Sequence, residues 1–378
     1  MKILIVLGGF FPAQTYGGPP VSINNLCSLL KETFDFYILT SDHELHQSAR
    51  LQGIDDGWND RGNCRVKYLR QGENNAKTYR EVVDEINPDI IYINSLFSIE
   101  TTIPFLRIAK KTKTPLLLAS RGELCVNAFN KKYKKIPYLM YLYPYLSSRN
   151  VWYQSTSDEE TQQLKKILRI PEERILPLTN VPFIPTNEKE LVVKERGGCK
   201  LIFLARIEAK KNLHYALSVL ANIKQQVTFN IYGPKEDLNY WKKCDNIIQR
   251  LPSNISVNYC GVISHDLVSK TFSSYHGFFF PTISENYGHV LVESMLAGCP
   301  VVTSDQVPWQ DVNDDMSGWS ISLNNPELFT ETIETIAAMD QAEFNALSER
   351  CLNYIKRRIN LPGLKEKYFN AFEKIKLS

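Results

Sequence analysis

Short runs of apolar residues alternate with amphipathic segments along the whole chain. In the first half, six such runs have the length and composition of buried strands. These predicted strands are Ile3–Leu7, Asp35–Leu39, Ile90–Ile93, Leu116–Ala119, Val151–Tyr153 and Ile175–Leu178. Helical periodicity appears between them, for instance in Val21–Lys31, Tyr79–Ile86 and Glu100–Lys111, and Ser157 with Glu160 predicts a capping box. The alternation is typical of parallel sheets with crossover helices.

The same pattern restarts after a charged stretch without periodicity, Pro185 to Gly198, which we interpret as a linker. The second series of predicted strands is Lys200–Leu204, Thr228–Ile231, Ile255–Tyr259, Gly277–Phe280, Pro300–Thr303 and Ser320–Ser322. We therefore expect an α/β protein of two doubly wound, Rossmann-like domains that face a central cleft, at residues 1–183 and 184–358. A final helix, about 359–378, is expected to pack back on the first domain.

Composition excludes some classes of function. Apolar residues are 43% and charged residues 22% of the 378 positions, as in ordinary globular proteins. The net charge of +3, from 44 basic and 41 acidic residues, does not predict nucleic-acid binding. Eight cysteines and six histidines are scattered without metal-ligand spacing, so we expect buried free thiols, a reducing compartment, and neither a metal nor another cofactor.

The segment Phe278–Asp305 carries the clearest candidate chemistry. An apolar strand and a tight loop lead into a helix that Tyr287 and Gly288 open. Backbone N–H groups and the helix dipole favour an anion at such a point. Glu285 and Glu293 can accept hydrogen bonds from sugar hydroxyls. Their spacing alone is weak evidence, because chance gives about one such pair in a chain of this length, and a surface helix after a turn would also explain it.

A second candidate group follows the first strand of the second half. Arg206 comes directly after that strand, and Lys211 lies at the mouth of the next helix. The planar fork of arginine and the point charge of lysine can clamp a diphosphate and stabilise the charge that grows on a leaving phosphate. A solvated helix start is the competing interpretation, and this pair alone does not exclude it.

Two further candidates lie in the first half. The loop that holds Gly17 and Gly18 lets backbone approach a phosphate without a Cβ clash, although a Gly-Gly pair is more often a turn. It lacks the G-x-G-x-x-G spacing of nicotinamide or flavin oxidoreductases. Arg121 follows the fourth strand and stays protonated, so it cannot act as a general base. It either orients substrate oxygens or forms a salt bridge.

Together these motifs resemble those of glycosyltransferase family 4, whose members are retaining glycosyltransferases of the GT-B fold. The matched positions run from Gly17 to Trp319 and are densest in the second half. The resemblance implies an acceptor-binding first domain and a donor-binding second domain. The residues it assigns to catalysis are Arg206, Lys211 and Glu285, together with Arg121, which stands where many relatives have a histidine. The residues it assigns to the donor are Gly17, Gly18, Gly233, Val262, Asn286, Tyr287, Gly288 and Glu293.

The resemblance also implies a reaction. A sugar would pass from a nucleoside diphosphate sugar, here a UDP-sugar, to a hydroxyl of a glycan or lipid-linked glycan, with retained configuration and without a metal ion. The family habit is bacterial surface polysaccharide assembly, such as lipopolysaccharide or capsule. A nucleotide-sugar epimerase, a pyridoxal-type phosphorylase and a non-catalytic sugar-nucleotide binding subunit remain as rivals. An epimerase would need acid and base residues, and a phosphorylase a Schiff-base lysine, that the sequence does not identify.

Location is the last expectation. No signal-peptide cleavage pattern follows the N-terminal apolar run, and no stretch approaches the roughly 18 apolar residues of a membrane span, so we expect a cytoplasmic protein. A basic cluster, Lys131, Lys132, Lys134 and Lys135, precedes an aromatic segment. This pattern suits an anionic membrane at the inner face of the cytoplasmic membrane, and a core helix entered through a lysine turn is the alternative.

Overall fold

A computed structural model describes residues 1–125, 129, 132–182, 192–285 and 287–378, without the side chains of Lys132, His265 and Asp266. The chain divides into two units, Met1–Phe183 with Leu361–Ser378, and Ile184–Asn360. Each unit has its own sheet. The C-terminal helix thus belongs to the first unit, although the residues before it belong to the second.

The first unit is built on an eight-stranded sheet. Its strands are β1 (Lys2–Val6), β2 (Asp35–Ser41), β3 (Trp58–Asp60), β4 (Arg65–Leu69), β5 (Ile90–Ile93), β6 (Leu116–Ala119), β7 (Val151–Ser155) and β8 (Ile175–Pro177). They lie in the order β3-β4-β2-β1-β5-β6-β7-β8, and only β3 pairs antiparallel, with β4. The strand order reverses between β1 and β5, so the carboxyl ends of these two strands form a topological switch point.

The second unit has a six-stranded, all-parallel sheet. Its strands are β9 (Gly198–Leu204), β10 (Gln226–Tyr232), β11 (Ile255–Gly261), β12 (Gly277–Phe280), β13 (Val301–Ser304) and β14 (Trp319–Ile321). Their order is β11-β10-β9-β12-β13-β14. The reversal here falls between β9 and β12, which are the strands that precede the two strongest motifs.

Helices cover both sheets. They are α1 (Gly18–Leu30), α2 (Ala76–Ile86), α3 (Ile99–Thr112), α4 (Lys132–Leu146), α5 (Asp158–Leu168), α6 (Leu213–Leu220), α7 (Leu238–Ile248), α8 (His265–Phe272), α9 (His289–Leu296), α10 (Pro326–Ala338), α11 (Gln341–Ile359) and α12 (Leu361–Lys376). Short 3₁₀ turns lie at Glu172–Arg174, Ala209–Lys211 and Gln310–Val312. Within the described residues, no helix is long and apolar enough to cross a bilayer.

All twelve predicted strands occur, with ends displaced by at most two residues, but β3 and β4 were not predicted. In β4 the buried Val66 and Tyr68 alternate with Arg65 and Lys67. Only β3 lies beyond β4 at this end of the sheet. A strand near an edge carries polar residues on one face and therefore gives a weaker signal than a fully apolar run.

The predicted capping box is half right. Ser157 Oγ accepts a hydrogen bond from the Glu160 backbone N–H at 3.2 Å. The Glu160 side chain does not return to Ser157, because its carboxylate accepts from the N–H groups of Gly122 and Thr156, both at 2.7 Å. Glu160 is completely buried, and it ties the loop after β6 to the start of α5.

The predicted linker is also shorter than expected. Its residues 185–191 lie outside the described part of the chain, whereas Gly198 is already the first residue of β9. Lys194 is buried, and its Nζ lies within hydrogen-bond distance, 2.7–3.0 Å, of four backbone carbonyls, those of Glu195, Gly198, Ala337 and Met339. Residues 192–197 are therefore fastened to the second unit.

His276 holds the same segment, and its burial is expected to make the stability of this unit depend on pH. Its Nδ1 accepts from the Lys200 backbone N–H at 2.9 Å, and its Nε2 lies 2.9 Å from the Val193 carbonyl, which fits a neutral ring protonated on Nε2. Burial lowers the pKa of His276 to about 4.

Because the unfolded histidine takes up a proton near pH 6.5 and the folded one does not until about pH 4, stability should fall as the pH drops through this window. Between pH 7 and 5 the loss should be about 2 kcal/mol. Urea unfolding at both pH values would measure it, with His276→Gln as the comparison. Equal losses in the wild type and the variant would rule out His276 as the cause.

Candidate active site

Backbone and side-chain hydrogen bonds join the two strongest motifs at the switch point of the second sheet. The N–H of Ile283 donates to the Lys210 carbonyl at 3.0 Å, and Thr282 Oγ1 donates to the same carbonyl at 3.2 Å. Asn212 Nδ2 donates to the Pro281 carbonyl at 2.8 Å. The loops after β9 and β12, about seventy residues apart in sequence, therefore form one surface.

An ion pair lies at the centre of this surface. Lys211 Nζ contacts the Glu285 carboxylate, and both side chains are only 14% exposed. The ammonium also lies 5.8 Å from the ring centroid of Phe280. The N–H of Glu285 donates to the Gln306 carbonyl at 3.1 Å, which fixes the backbone that carries the carboxylate. Two residues predicted from separate motifs thus meet directly.

Arg206, the other predicted cation, is half-exposed and has two carboxylate partners. Its guanidinium lies 3.1 Å from Glu208 Oε1 and 3.1 Å from Glu236 Oε2. Sequence reasoning missed both glutamates. The only signal for Glu208 was its position between Arg206 and Lys211, and the only signal for Glu236 was its position three residues after Gly233. Both predicted cations are therefore paired with carboxylates of the chain itself.

The start of α9 is held rigidly. Gly288 has φ 74° and ψ 58°, a left-handed conformation that glycine adopts most readily, and a Cβ there would lie 2.8 Å from Leu291 Cδ1. Tyr287 is buried, its carbonyl accepts from Trp309 Nε1 at 2.6 Å, and burial raises the pKa of its hydroxyl. The N–H groups at the first turn of α9 have a fixed direction, as an anion site requires.

The other predicted donor residues of this unit are spread around the same edge. Glu293 is buried in α9 at 9% exposure. Gly233 follows β10 with φ 129°, and its N–H donates to the Gly261 carbonyl at 2.8 Å. Val262, directly after β11, is 60% exposed. Asn286 lies outside the described residues.

A lysine between two aromatic rings flanks this edge and was not predicted. Lys235 Nζ lies 3.9 Å from the ring centroids of both Trp241 and Tyr259, and Tyr259 OH donates to the Gly233 carbonyl at 3.0 Å. Such cation–π contacts, of about 0.5–1 kcal/mol each at exposed sites, order the loop after β10.

In the first unit, Arg121 lies at the carboxyl edge of the sheet but does not form the salt bridge that was one of its two interpretations. Its Nε donates to Asn94 Oδ1 at 3.0 Å, its Nη2 to Tyr92 OH at 3.1 Å, and its Nη1 to Asn180 Oδ1. Within the described residues these partners are all neutral, and Asn94 Nδ2 is buried without a partner. These partners supply no counter-charge to the guanidinium, which suits an orienting role toward substrate oxygens.

Gly17 and Gly18 lie at the start of α1. Gly17 has φ 71° and no side-chain atom caps the helix. The next two residues, Pro19 and Pro20, have no N–H, so this helix start offers fewer donors to an anion than most. The expected phosphate contact therefore depends on the N–H groups of the two glycines themselves.

The cysteine and metal expectations meet the structure as follows. All eight cysteines are free; seven are buried, but Cys260 is exposed, which corrects the expectation for that residue. In the described part of the chain, no three His, Cys, Asp or Glu side chains are grouped as metal ligands.

A groove of about 520 Å³ lies at the opposite edge of the second sheet, near Gly198, Lys200 and Gln226. Sheets of this kind bind ligands at their carboxyl ends, whereas this groove lies where the strands begin.

The chain is similar in sequence to a protein of known activity. A curated relative, the GtfA subunit of UDP-N-acetylglucosamine–peptide N-acetylglucosaminyltransferase from Streptococcus agalactiae, is 23% identical over 191 residues, which are 49% of this chain and 36% of the relative. The match thus spans little more than a third of that relative's length.

Several solved structures match nearly the whole chain, and two of them serve as examples. Anabaena HepE, in complex with UDP and glucose, has a TM-score of 0.73 at 14% identity and covers 99% of this chain and 100% of its own. WaaG, a glycosyltransferase involved in lipopolysaccharide biosynthesis, has a TM-score of 0.67 at 16% identity and covers 99% of each chain. The predicted GT-B fold, with a Rossmann-like sheet in each unit, is confirmed.

These structures define the fold class of the chain, which is GT-B. Residues 186–358 match the family model described as Glycosyl transferases group 1. The matched residues all lie in the second unit of this chain.

Proposed function

We propose that the protein is a retaining glycosyltransferase of family 4 that transfers a sugar from a UDP-sugar to a hydroxyl. The observation that carries this proposal is the contact between Lys211 and Glu285 at the switch point of the second sheet. A cation for a diphosphate and a carboxylate for sugar hydroxyls are there side by side. The HepE complex with UDP and glucose and the UDP-N-acetylglucosamine named for the streptococcal relative support this donor class.

In the proposed donor complex the ion pair changes partners. Lys211 turns to the diphosphate and Glu285 accepts hydrogen bonds from the sugar, while Arg206 leaves one of its two glutamates for a phosphate oxygen. Glu293 holds the ribose hydroxyls, and backbone groups near Gly233 and Val262 hold the base. Charge builds on the departing diphosphate, so fixed cations stabilise the transition state more than the ground state.

We propose a front-side reaction. The bond between the anomeric carbon and the diphosphate oxygen breaks while the bond to the acceptor oxygen forms on the same face of the sugar. The departing phosphate oxygen takes the acceptor proton, so a separate base is not required. Arg206, Lys211 and the N–H groups of Tyr287 and Gly288 perform the role for which other transferases use a metal ion. Arg121, in the first unit, orients the acceptor.

The proposed acceptor is a glycan or lipid-linked glycan in bacterial surface polysaccharide assembly, at the inner face of the cytoplasmic membrane. The involvement of WaaG in lipopolysaccharide biosynthesis supports this class of acceptor.

The test is donor binding and turnover. Calorimetry with UDP-, GDP- and ADP-sugars in the presence of a chelator should give binding of one nucleotide by the wild type. Arg206→Ala with Lys211→Ala should abolish it, and Lys210→Ala, an exposed neighbour with the same charge change, should not. The anomeric configuration of the product, read by NMR, tests retention. Binding that requires a divalent metal, or an inverted product, would contradict the proposal.

The rival functions give different results with the same samples. An epimerase would convert a UDP-sugar in the absence of any acceptor. A non-catalytic subunit would bind the donor without transfer or hydrolysis, and the streptococcal relative is itself named as a subunit. Turnover that depends on both an acceptor and Glu285 would exclude both.

The carboxylates around Arg206 lead to a prediction of increased affinity. Glu236→Gln keeps the side-chain shape but removes one of the two charges that compete with the diphosphate for Arg206. Because exposed ion pairs contribute about 0–1 kcal/mol, the affinity for UDP at low salt should rise by about two- to fivefold. Calorimetry would measure it, with Glu331→Gln, an exposed glutamate of α10, as the control. An unchanged or lower affinity would mean that Arg206 does not meet the diphosphate.

A further inference from the structure

The outer face of α4 is apolar and exposed. Tyr133, Ile136, Met140, Tyr141 and Tyr143 are 46–72% exposed. They are five of the seventeen exposed large apolar side chains in the described part of the chain, and they fall within eleven consecutive residues. Their spacing places them along one side of the helix. Single exposed apolar residues need no explanation, but a contiguous ridge of them marks an interaction surface.

The ridge is not a core face turned outward. Leu139, Leu142 and Leu146 of the same helix are buried in the core of the first unit, and Tyr138 OH donates to the Leu96 carbonyl at 2.9 Å. The core-helix interpretation therefore describes only the inner side of α4. The apolar side chains on the outer side of α4 do not contribute to this core.

The charged residues of α4 and of the end of α3 all have one sign. The α4 segment contains no acidic residue, and neither does the end of α3 from Arg107 to Lys113. Contacts connect the two: Arg107 donates to Tyr141 OH, and Lys110 Nζ lies 5.0 Å from the ring centroid of Tyr145. Lys110 and Lys111 are exposed. The cluster is local, since the whole chain has a net charge of only +3.

The structure changes which lysines belong to this surface. Lys134 is exposed on α4. Lys135 is not part of the surface, because its Nζ lies 4.4 Å from the Phe97 ring centroid and donates to the Glu123 carbonyl at 3.4 Å. Lys131 lies outside the described residues, and only the backbone of Lys132 is described. Among the described side chains, the exposed cations of this surface are Lys134 of α4 and Arg107, Lys110 and Lys111 of α3.

We propose that the α4 ridge with its α3 cations is a docking surface for an anionic lipid bilayer. Tyrosine, isoleucine and methionine side chains enter the interfacial region, while lysine and arginine meet the headgroups. A second copy of the chain fits less well, because a two-fold contact would bring the same uncompensated cations together. This proposal does not depend on the donor site.

The test uses the full chain and vesicle flotation. Wild type should float with phosphatidylglycerol-rich vesicles at low salt but not with phosphatidylcholine vesicles, and high salt should weaken the binding. Tyr133→Ser with Met140→Ser should weaken it by about tenfold or more. Lys110→Gln and Lys111→Gln should each weaken it by about fivefold. Leu238→Ser with Met316→Ser, which removes equally exposed apolar side chains from the second unit, should leave it unchanged.

Unfolding temperature and UDP binding, measured on every variant, separate a lost surface from a lost fold or donor site. Equal binding to neutral vesicles, or full binding by the ridge variant, would overturn the proposal. So would a dimer, seen by ultracentrifugation, that the ridge substitutions dissociate, since the ridge would then be a protein interface.

Discussion

Lys211→Ala should lower kcat/KM for sugar transfer by about 10²–10³-fold, the size of effect seen when one transition-state charge contact is removed. The reason is the position of Lys211: its ammonium lies at the switch point, only 14% exposed, where a charge is weakly screened. Initial rates with a UDP-sugar and its acceptor would measure the loss. Lys210→Ala is the matched control, because Lys210 is an exposed neighbour of Lys211 and its substitution removes the same charge.

Glu285→Gln separates the two roles in the proposed pair. Transfer should fall by about as much as in Lys211→Ala, because the sugar loses its charged acceptor. Affinity for UDP alone should be kept or rise, because Lys211 no longer has a competing carboxylate. If Glu285 were only a structural partner of Lys211, the UDP affinity and the transfer rate would fall together.

The double variant completes this argument. In the proposed donor complex the two residues have separate partners, so the losses of Lys211→Ala and Glu285→Gln should at least multiply in the double variant. A loss much smaller than the product would mean that the two residues act as a unit during turnover, which would contradict the proposed exchange of partners.

The sequence predicted the framework of this site better than its contacts. The strands β9 and β12 are continuous apolar runs, because a parallel strand with both faces covered must be apolar throughout. Their positions, with the loops that follow them, could therefore be read directly. That Lys211 and Glu285 touch follows from the order of the strands in the sheet, which no local pattern records.

The partners of the two arginines could not be predicted for a similar reason. Glu208 and Glu236 reach Arg206 from two different loops, and Asn180 reaches Arg121 from 59 residues away. A charged side chain in a loop has no periodicity, so the sequence does not distinguish a partner from a solvated residue. Lys135 illustrates the opposite error: it belongs to a basic run, but a long aliphatic stem lets its ammonium turn toward aromatic rings.

Gly233→Ala should destabilise the second unit by about 3 kcal/mol or more and abolish donor binding with it. A Cβ at Gly233 would lie 1.9 Å from the Ala205 carbonyl oxygen, and the backbone there has φ 129°. Neither side can move easily, because the N–H of Ala205 donates to Tyr232 and the N–H of Gly233 donates to Gly261. The cost is thus a steric overlap between two strand ends at the candidate site.

Gly261→Ala is the control that isolates this cause. Gly261 also has a positive φ, 80°, but an added Cβ would meet nothing within 4 Å. It should therefore cost only about 1 kcal/mol, the conformational price of a left-handed non-glycine residue. Thermal unfolding of both variants makes the comparison. Equal losses would mean that backbone conformation, and not the contact with Ala205, is what requires glycine at the end of β10.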